Sequence, residues 1–230
     1  MTLGGVPHLV WTTFTDRQID LDVRSAAARG YLHEILQRLA GCGVQLVRVD
    51  AAGYAVKTPG TSSFMTADTY DFLDELTKEA EALGLQVLQV HSHYQDQIEI
   101  ARRVDLVYDF GLPPLVLHTL HTGDTAALLH WLRVRPVNCV TVLDTHDGIG
   151  VIDAGPDAAD PDRAGLLTRG QIADLVEAVH RASGGGSRPA TGAAAGNLDL
   201  YQLNCTFYDA LGWQRRAVPA GPADPVLRPG

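Results

Sequence analysis

The sequence has 230 residues, with 18 Lys and Arg against 27 Asp and Glu, a formal net charge of −9 and 46% hydrophobic residues. That is enough apolar chain for a sizeable core, and an acidic balance without a basic block argues against nucleic acid or an anionic membrane as a partner. No apolar run approaches the roughly 20 residues of a membrane helix. The opening Met1-Thr2-Leu3-Gly4-Gly5-Val6-Pro7 has no cationic stretch followed by an apolar one, so a cytoplasmic chain is expected. Cys42, Cys139 and Cys205 match neither a disulfide framework nor a zinc spacing, and buried thiols are the expectation.

Helical and strand patterns alternate along the first two-thirds. Tyr31, Leu32, Ile35, Leu36 and Leu39 predict a helix from about Ser25 to Ala40, closed by Gly41 and Gly43. The run from Val44 to Asp50 is rich in β-branched residues and predicts a strand. After a loop with Gly53, Pro59 and Gly60, Thr66 is placed to cap a second helix whose stripe is Phe72, Leu73, Leu76, Ala80 and Leu83. Gly84 ends it, and Leu85 to His91 predicts the next strand. A helix around Gln95 to Arg103 and a strand from Asp105 to Phe110 follow. Pro113 and Pro114 open a helical stretch to about Leu132, broken near Gly123, before a strand at Asn138 to Leu143.

Consecutive strand–helix units argue for parallel strands. Polar residues gather just past the strand ends: Asp50, His91 with His93, Asp109, and Asp144 with His146 and Asp147. Both doubly wound sheets and barrels carry their chemistry there, and the lack of a Gly-rich phosphate loop leans toward the barrel. Asp153 to Gly165 reads as a long loop, Gln171 to Ala182 as a helix, Ser183 to Ser187 as a flexible turn and Asn197 to Asn204 as strand-like. Gln214 to Gly230 has no periodicity and is expected to be disordered.

Carboxylates converging on one barrel mouth would suit retaining glycosyl transfer, in which one attacks the anomeric carbon while a second acid protonates the leaving oxygen. Arg48 lies two residues before Asp50, so both side chains leave the strand on one side, and a guanidinium there would keep the aspartate ionised. From spacing alone the pair also reads as a structural ion pair. A rival reading is a metal-dependent barrel hydrolase, with His91 and His93, or His118 and His121, as ligands and Asp147 as a further one. Hydrogen-bonding histidines at strand ends are the simpler reading, and no metal or cofactor is expected.

Specific strings carry a resemblance. Arg48-Val49-Asp50-Ala51-Ala52-Gly53-Tyr54 resembles the nucleophile segment of the sucrose phosphorylase subfamily of glycoside hydrolase family thirteen, in the α-amylase superfamily. Gly60 to Thr66, Val107 to Phe110, Leu112 to Leu115, Thr141 to Gly150, Thr191 to Ala195 and Asn197 to Gln202 follow in the order that family shows. The likeness runs from about Leu9 to Gly212 and implies a truncated fragment of an α/β fold, a partial (β/α)8 TIM barrel holding about strands four to seven, with an irregular excursion after the last of them. It implies that residues 1–24 end an inserted small domain, 25–149 form the partial barrel, 150–213 belong to the excursion and 214–230 are an unmatched tail.

The same resemblance implies roles. Asp50 is the nucleophile and Asp147 the transition-state stabiliser; Arg48 and His146 hold the nucleophile and the glucose; Phe14, Tyr54 and His91 line the sugar subsites. Sucrose or a related α-glucoside and inorganic phosphate are the implied partners, and there is room for a separately encoded N-terminal half. One position departs from the pattern. Where the family has its acid/base glutamate, this chain has Gln89, in a strand one residue shorter than the family's. A carboxamide cannot release a proton near neutral pH, and a lost strand residue swaps faces unless a bulge absorbs it. The expectation is a sucrose-phosphorylase lineage whose activity is silenced or impaired here, with a non-catalytic remnant as the alternative.

Overall fold

The computed structural model describes residues 2–89, 93–157, 160, 162–191 and 202–212. The chain divides into two compact units, Met1–Asp109 with Val134–Thr141, and Phe110–Arg133 with Val142–Gly230.

The first unit opens with a small antiparallel hairpin, β1 (Thr2–Leu3) and β2 (Val6–Pro7), which pairs Thr2 with Pro7 and Leu3 with Val6. Its turn needs two left-handed residues, which Gly4 and Gly5 supply at φ 56° and 84°. Helix α1 (Ala26–Gly41) starts at Ser25, whose hydroxyl accepts from the Ala28 N–H at 3.2 Å. Strand β3 (Leu46–Val49) leads through a 3₁₀ turn, Ala52–Tyr54, to helix α2 (Ala67–Ala82). Thr66 holds the N-cap position, but its hydroxyl pairs with the Thr69 hydroxyl at 3.1 Å and makes no backbone cap, unlike the sequence expectation. Strand β4 (Gln86–Gln89), helix α3 (Tyr94–Ile100), strand β5 (Leu106–Asp109) and, later in the chain, strand β6 (Cys139–Thr141) complete the unit.

These last strands form one parallel sheet of four, in the order β3-β4-β5-β6. The β3–β4 ladder runs Leu46 to Gln86, Val47 to Val87, Arg48 to Leu88 and Val49 to Gln89, without a bulge. Leu36, Leu76, Ala80, Leu85, Val87, Ile100, Val104 and Val107 build the core under the sheet. Each fully buried Val or Leu there is worth about 1.5–3 kcal/mol relative to exposure. Polar side chains fasten the strand starts. The Asp105 carboxylate accepts from the Val87 N–H at 2.8 Å, and the Asn138 amide donates to the carbonyls of Ala101, Val104 and Asp105. At the far end of β5, the fully buried Asp109 carboxylate meets the Arg135 guanidinium at 2.8 Å. Burial, and then that carboxylate, push the neighbouring Cys139 thiol up to about 11. Among the described residues β3 and β6 are each paired on one side only, and Leu46, Tyr31 and Ile35 lie open to solvent.

The second unit contains helices α4 (Leu112–Thr122) and α5 (Ala126–Val134), strand β7 (Ile149–Gly150), a 3₁₀ turn at Ile152–Ala154, helices α6 (Arg169–Ala182) and α7 (Ser187–Thr191), strand β8 (Gln202–Leu203) and helix α8 (Phe207–Ala210). Gly123, at φ 78°, makes the break expected between α4 and α5. α6 starts from a capping box in which the Thr168 hydroxyl accepts from the Gln171 N–H and the Gln171 side chain answers the Thr168 N–H. Leu115, Leu117, Ile149, Val151, Leu167, Leu175, Val179 and Leu203 are almost fully buried.

One expectation here needs correction. The thiols are not buried as expected: Cys42, at the C-cap of α1, is exposed, and Cys139 and Cys205 are only partly buried. The turn expected at Ser183 to Ser187 is present and hydrogen-bonded: the Ser183 hydroxyl donates to the His180 carbonyl at 3.1 Å and lies 2.8 Å from the Ser187 hydroxyl. The long loop expected at Asp153 to Gly165 is also present, and within it Arg163 pairs with Asp157 at 2.8 Å. Most of the strand expected at 197–204, and the tail from 214, lie outside the described residues. Among the described residues no helix is long and apolar enough to cross a membrane.

Candidate active site

β3 runs out at Val49 and delivers Asp50 at the carboxyl end of the parallel sheet. The Arg48 guanidinium donates to the Asp50 carboxylate at 2.9 Å, as the two-residue spacing leads one to expect. Asp50 itself is 70% exposed, a carboxylate free to meet a ligand.

The backbone that follows is strained. Ala51 sits at φ 52°, Ser63 at φ 55° and Met65 at φ 48°, left-handed values that cost a residue with a Cβ of order 1–2 kcal/mol each. A backbone bond from the Met65 N–H to the Gly53 carbonyl at 2.8 Å folds the two ends of this loop together. Gly53 is required where it lies, since a Cβ would come within 2.7 Å of the Phe64 ring. Strain of this kind collects where a loop is held for function. The fold presents Tyr54 between two rings: Phe64 at 4.7 Å, tilted, and Phe14 at 5.7 Å, edge-on at 82°. Phe14 and Tyr54, both expected as sugar-lining residues, therefore form one aromatic wall.

The segment carrying Phe14 is tied to this loop by a residue that sequence reasoning missed, Lys57. Its ammonium is buried and bonds across 44 positions of sequence to Thr13. Only its sequence proximity to Asp50 hinted at a role.

In the second unit, Thr145 and Gly148 bond to each other through both backbone pairs at 2.9 Å and hold His146 and Asp147 at the tip of a tight turn. The Asp147 N–H also donates to the Thr145 hydroxyl at 3.1 Å, and the His146 ring nitrogen lies 3.3 Å from the Asp147 carboxylate. Gly148, at φ 100°, packs so tightly that a Cβ would fall 2.0 Å from the Leu203 carbonyl oxygen. Just before the turn, the Asp144 carboxylate accepts from the Phe207 N–H at 2.6 Å, charge-assisting the first turn of α8.

The structure thus brings together Arg48 with Asp50, Phe14 with Tyr54, and His146 with Asp147. Gln89 ends β4, its backbone registered beside Val49 on one side and Val107 on the other, at the same sheet end as Asp50. His91 lies outside the described residues. Two histidines of the metal reading are engaged elsewhere. His93 caps α3, and His121 reaches the Ala210 carbonyl at 3.2 Å. His118 is buried with its ring nitrogen 4.0 Å from Asp124, too long for a hydrogen bond. Among the described residues no group of three or more His, Cys, Asp or Glu is arranged to hold a metal ion.

Comparison with known proteins agrees with the resemblance. The chain is 58% identical over 209 residues to a sucrose phosphorylase of Agrobacterium vitis, covering 90% of this chain and 42% of that protein. It is 47% identical over 228 residues to a sucrose phosphorylase of Bifidobacterium adolescentis, covering 99% of this chain and 45% of that one. The crystal structure of sucrose 6F-phosphate phosphorylase from Thermoanaerobacter thermosaccharolyticum superposes with a TM-score of 0.73 at 36% identity, over 88% of this chain and 40% of that one. No family model matches. The chain spans less than half the length of these relatives.

Proposed function

Because the chain belongs to the sucrose phosphorylase family, we propose that it carries part of a retaining α-glucosyl-transfer site, with Asp50 as nucleophile and Asp147 as the group that steadies the oxocarbenium-like transition state. The Asp50 carboxylate attacks the anomeric carbon as the bond to the leaving oxygen breaks; a phosphate oxygen then displaces Asp50 and returns the original configuration as glucose 1-phosphate. Arg48 and His146 hold nucleophile and sugar, and Phe14, Tyr54 and His91 line the subsites. The parallel sheet is then an arc of a (β/α)8 barrel, about its strands four to seven. Residues 1–24 end an inserted small domain, 25–149 belong to the barrel, 150–213 to an excursion after it, and 214–230 to an unmatched tail.

The observation that carries this reading is Asp50 itself: an exposed carboxylate at the carboxyl end of a parallel strand, gripped by Arg48 at 2.9 Å, in a stretch 58% identical to a sucrose phosphorylase. Sucrose or a closely related α-glucoside is the donor and inorganic phosphate the acceptor. The rest of the barrel is supplied by further sequence, and a separately encoded half is one source of it.

Gln89 favours a second reading for the chain as it stands, in which transfer from sucrose is silenced. General acid catalysis contributes about 10²–10⁴ in rate, and a fructosyl oxygen needs that proton whereas fluoride does not. Incubation with α-glucosyl fluoride and phosphate separates the cases. Glucose 1-phosphate formed from the fluoride but not from sucrose is the expected result, with Gln89→Glu restoring sucrose use by about 10²–10⁴. Equal use of both donors by the unaltered chain would remove Gln89 as the fault. Reaction with neither donor, even after Gln89→Glu, marks a non-catalytic remnant.

A further inference from the structure

Lys57 has no part in the chemistry above, yet it is one of the most enclosed charges in the first unit, with a relative exposure of 8%. An ammonium has three protons to place, and burying one without partners is costly. Two of them find acceptors, the Thr13 hydroxyl at 2.5 Å and the Tyr54 carbonyl, and the Asp20 carboxylate balances the charge as an ion pair at 3.3 Å. The acceptors are linked in turn. The Thr13 hydroxyl donates its own proton to Asp20 at 2.7 Å, and the Asp20 N–H closes the segment by donating to the Trp11 carbonyl at 3.0 Å. Two stretches far apart in sequence, 11–20 and 54–57, therefore meet at one nitrogen. Each carries one ring of the aromatic wall, Phe14 beside Thr13 and Tyr54 at the accepting carbonyl.

We propose that Lys57 is a positioning residue that sets the edge-on angle between Phe14 and Tyr54, and thereby the apolar wall against which the glucosyl donor lies. A buried ion pair adds little net stability compared with apolar packing, so its value here is geometric. The other features of the loop agree. Residues 51, 63 and 65 are strained, and such a backbone holds its shape only if something outside the loop over-determines it. The inference rests on the sugar-site reading of Phe14 and Tyr54.

The test labels the phenylalanines of the full chain with 4-fluorophenylalanine and follows their fluorine resonances, with Phe14 assigned through Phe14→Leu. Tyr54→Leu removes the ring current and defines how far the Phe14 signal moves when the wall is broken. Lys57→Met should move the Phe14 signal by a comparable amount, leave those of Phe72, Phe110 and Phe207 in place, and weaken sucrose binding about tenfold. Lys57→Arg, which keeps the charge and donors, should recover both. If Lys57→Met unfolds the chain, Thr13→Val, which deletes one acceptor, must still displace the Phe14 signal. An unmoved Phe14 signal in Lys57→Met or Thr13→Val overturns the proposal, as does sucrose affinity unchanged by Lys57→Met. If the Phe14 signal moves as expected but the unaltered chain does not respond to sucrose, the sugar reading fails while the Lys57 clasp stands.

Discussion

The two segments that carry the expected carboxylates are held in opposite ways. The loop after β3 keeps Asp50 and Tyr54 in place with side chains: a guanidinium on the carboxylate, an ammonium on the carbonyl, and rings packed on rings, at the cost of three left-handed non-glycine residues. The turn that carries His146 and Asp147 is held by backbone: a reciprocal bridge between Thr145 and Gly148, seated against the Leu203 carbonyl. The first arrangement draws on side chains far apart in sequence. The second rests on backbone fitted against backbone, with no room for a side chain at Gly148.

Gly148→Ala attacks the second arrangement at its tightest point. A Cβ 2.0 Å from a carbonyl oxygen cannot be absorbed by a side-chain rotation, so β7 and β8 must part. The expected loss is at least about 3 kcal/mol in denaturant unfolding. A loss below about 1 kcal/mol would show that the turn yields, and the contrast between the segments would collapse.

Acid should sharpen the contrast more gently. β8 is buttressed by α7, since the Asn204 amide donates to the Ala190 carbonyl at 3.0 Å and the Asn204 N–H to the Thr191 hydroxyl at 3.1 Å. α7 in turn is tied down by the Ser187 hydroxyl, 2.6 Å from the buried His180 ring, whose other nitrogen has no hydrogen-bond partner. Burial first, and then the Arg188 guanidinium, hold the His180 imidazole below its ordinary value, with Glu177 pulling the other way. The folded state therefore binds this proton less readily than the unfolded chain. The stabilisation is complete above about pH 6.5 and declines as the pH falls below it. Hydrogen-exchange protection of the Gly148 N–H should fall between pH 8 and 5, while that of the Met65 N–H in the other loop should not. His180→Asn should flatten the difference, and equal losses at both amides would contradict the pathway through α7.

The smallest effect belongs to the first segment. Ala51→Gly relieves a left-handed strain of about 1–2 kcal/mol, partly offset by the greater freedom of unfolded glycine, for a net gain of about 0.5 kcal/mol. A loss of stability would mean that Ala51 is not strained by its φ of 52°.

How far the sequence foretold this follows from the range of each interaction. The parallel strands were legible because short runs rich in Val and Leu, such as Val44 to Val49 and Leu85 to Gln89, alternate with helical patterns between Gly stops. The Arg48–Asp50 contact was legible from a period of two. The hairpin at the amino end went unread although Gly4-Gly5 signals such a turn, because strands of two residues leave no alternation to see. Thr66 occupies the position foreseen for it, yet Thr69 offers its hydroxyl a closer partner than the backbone. Lys57 was invisible for another reason. Two of its side-chain partners, Thr13 and Asp20, lie 44 and 37 residues upstream, and nothing in local composition distinguishes a buried ammonium from a solvated one. The same holds for His180, whose burial depends on packing against a turn that composition alone marks as loose.

Gly148 also serves as a gauge of natural selection. Every missense change at a glycine codon adds a Cβ, so this position has no permissible neighbour one mutational step away. A gene drifting toward decay meets a forbidden step there early, whereas a gene still maintained will keep that codon fixed while its surroundings vary. Sequencing the locus across many isolates would therefore measure whether purifying pressure persists, without an assay of any kind.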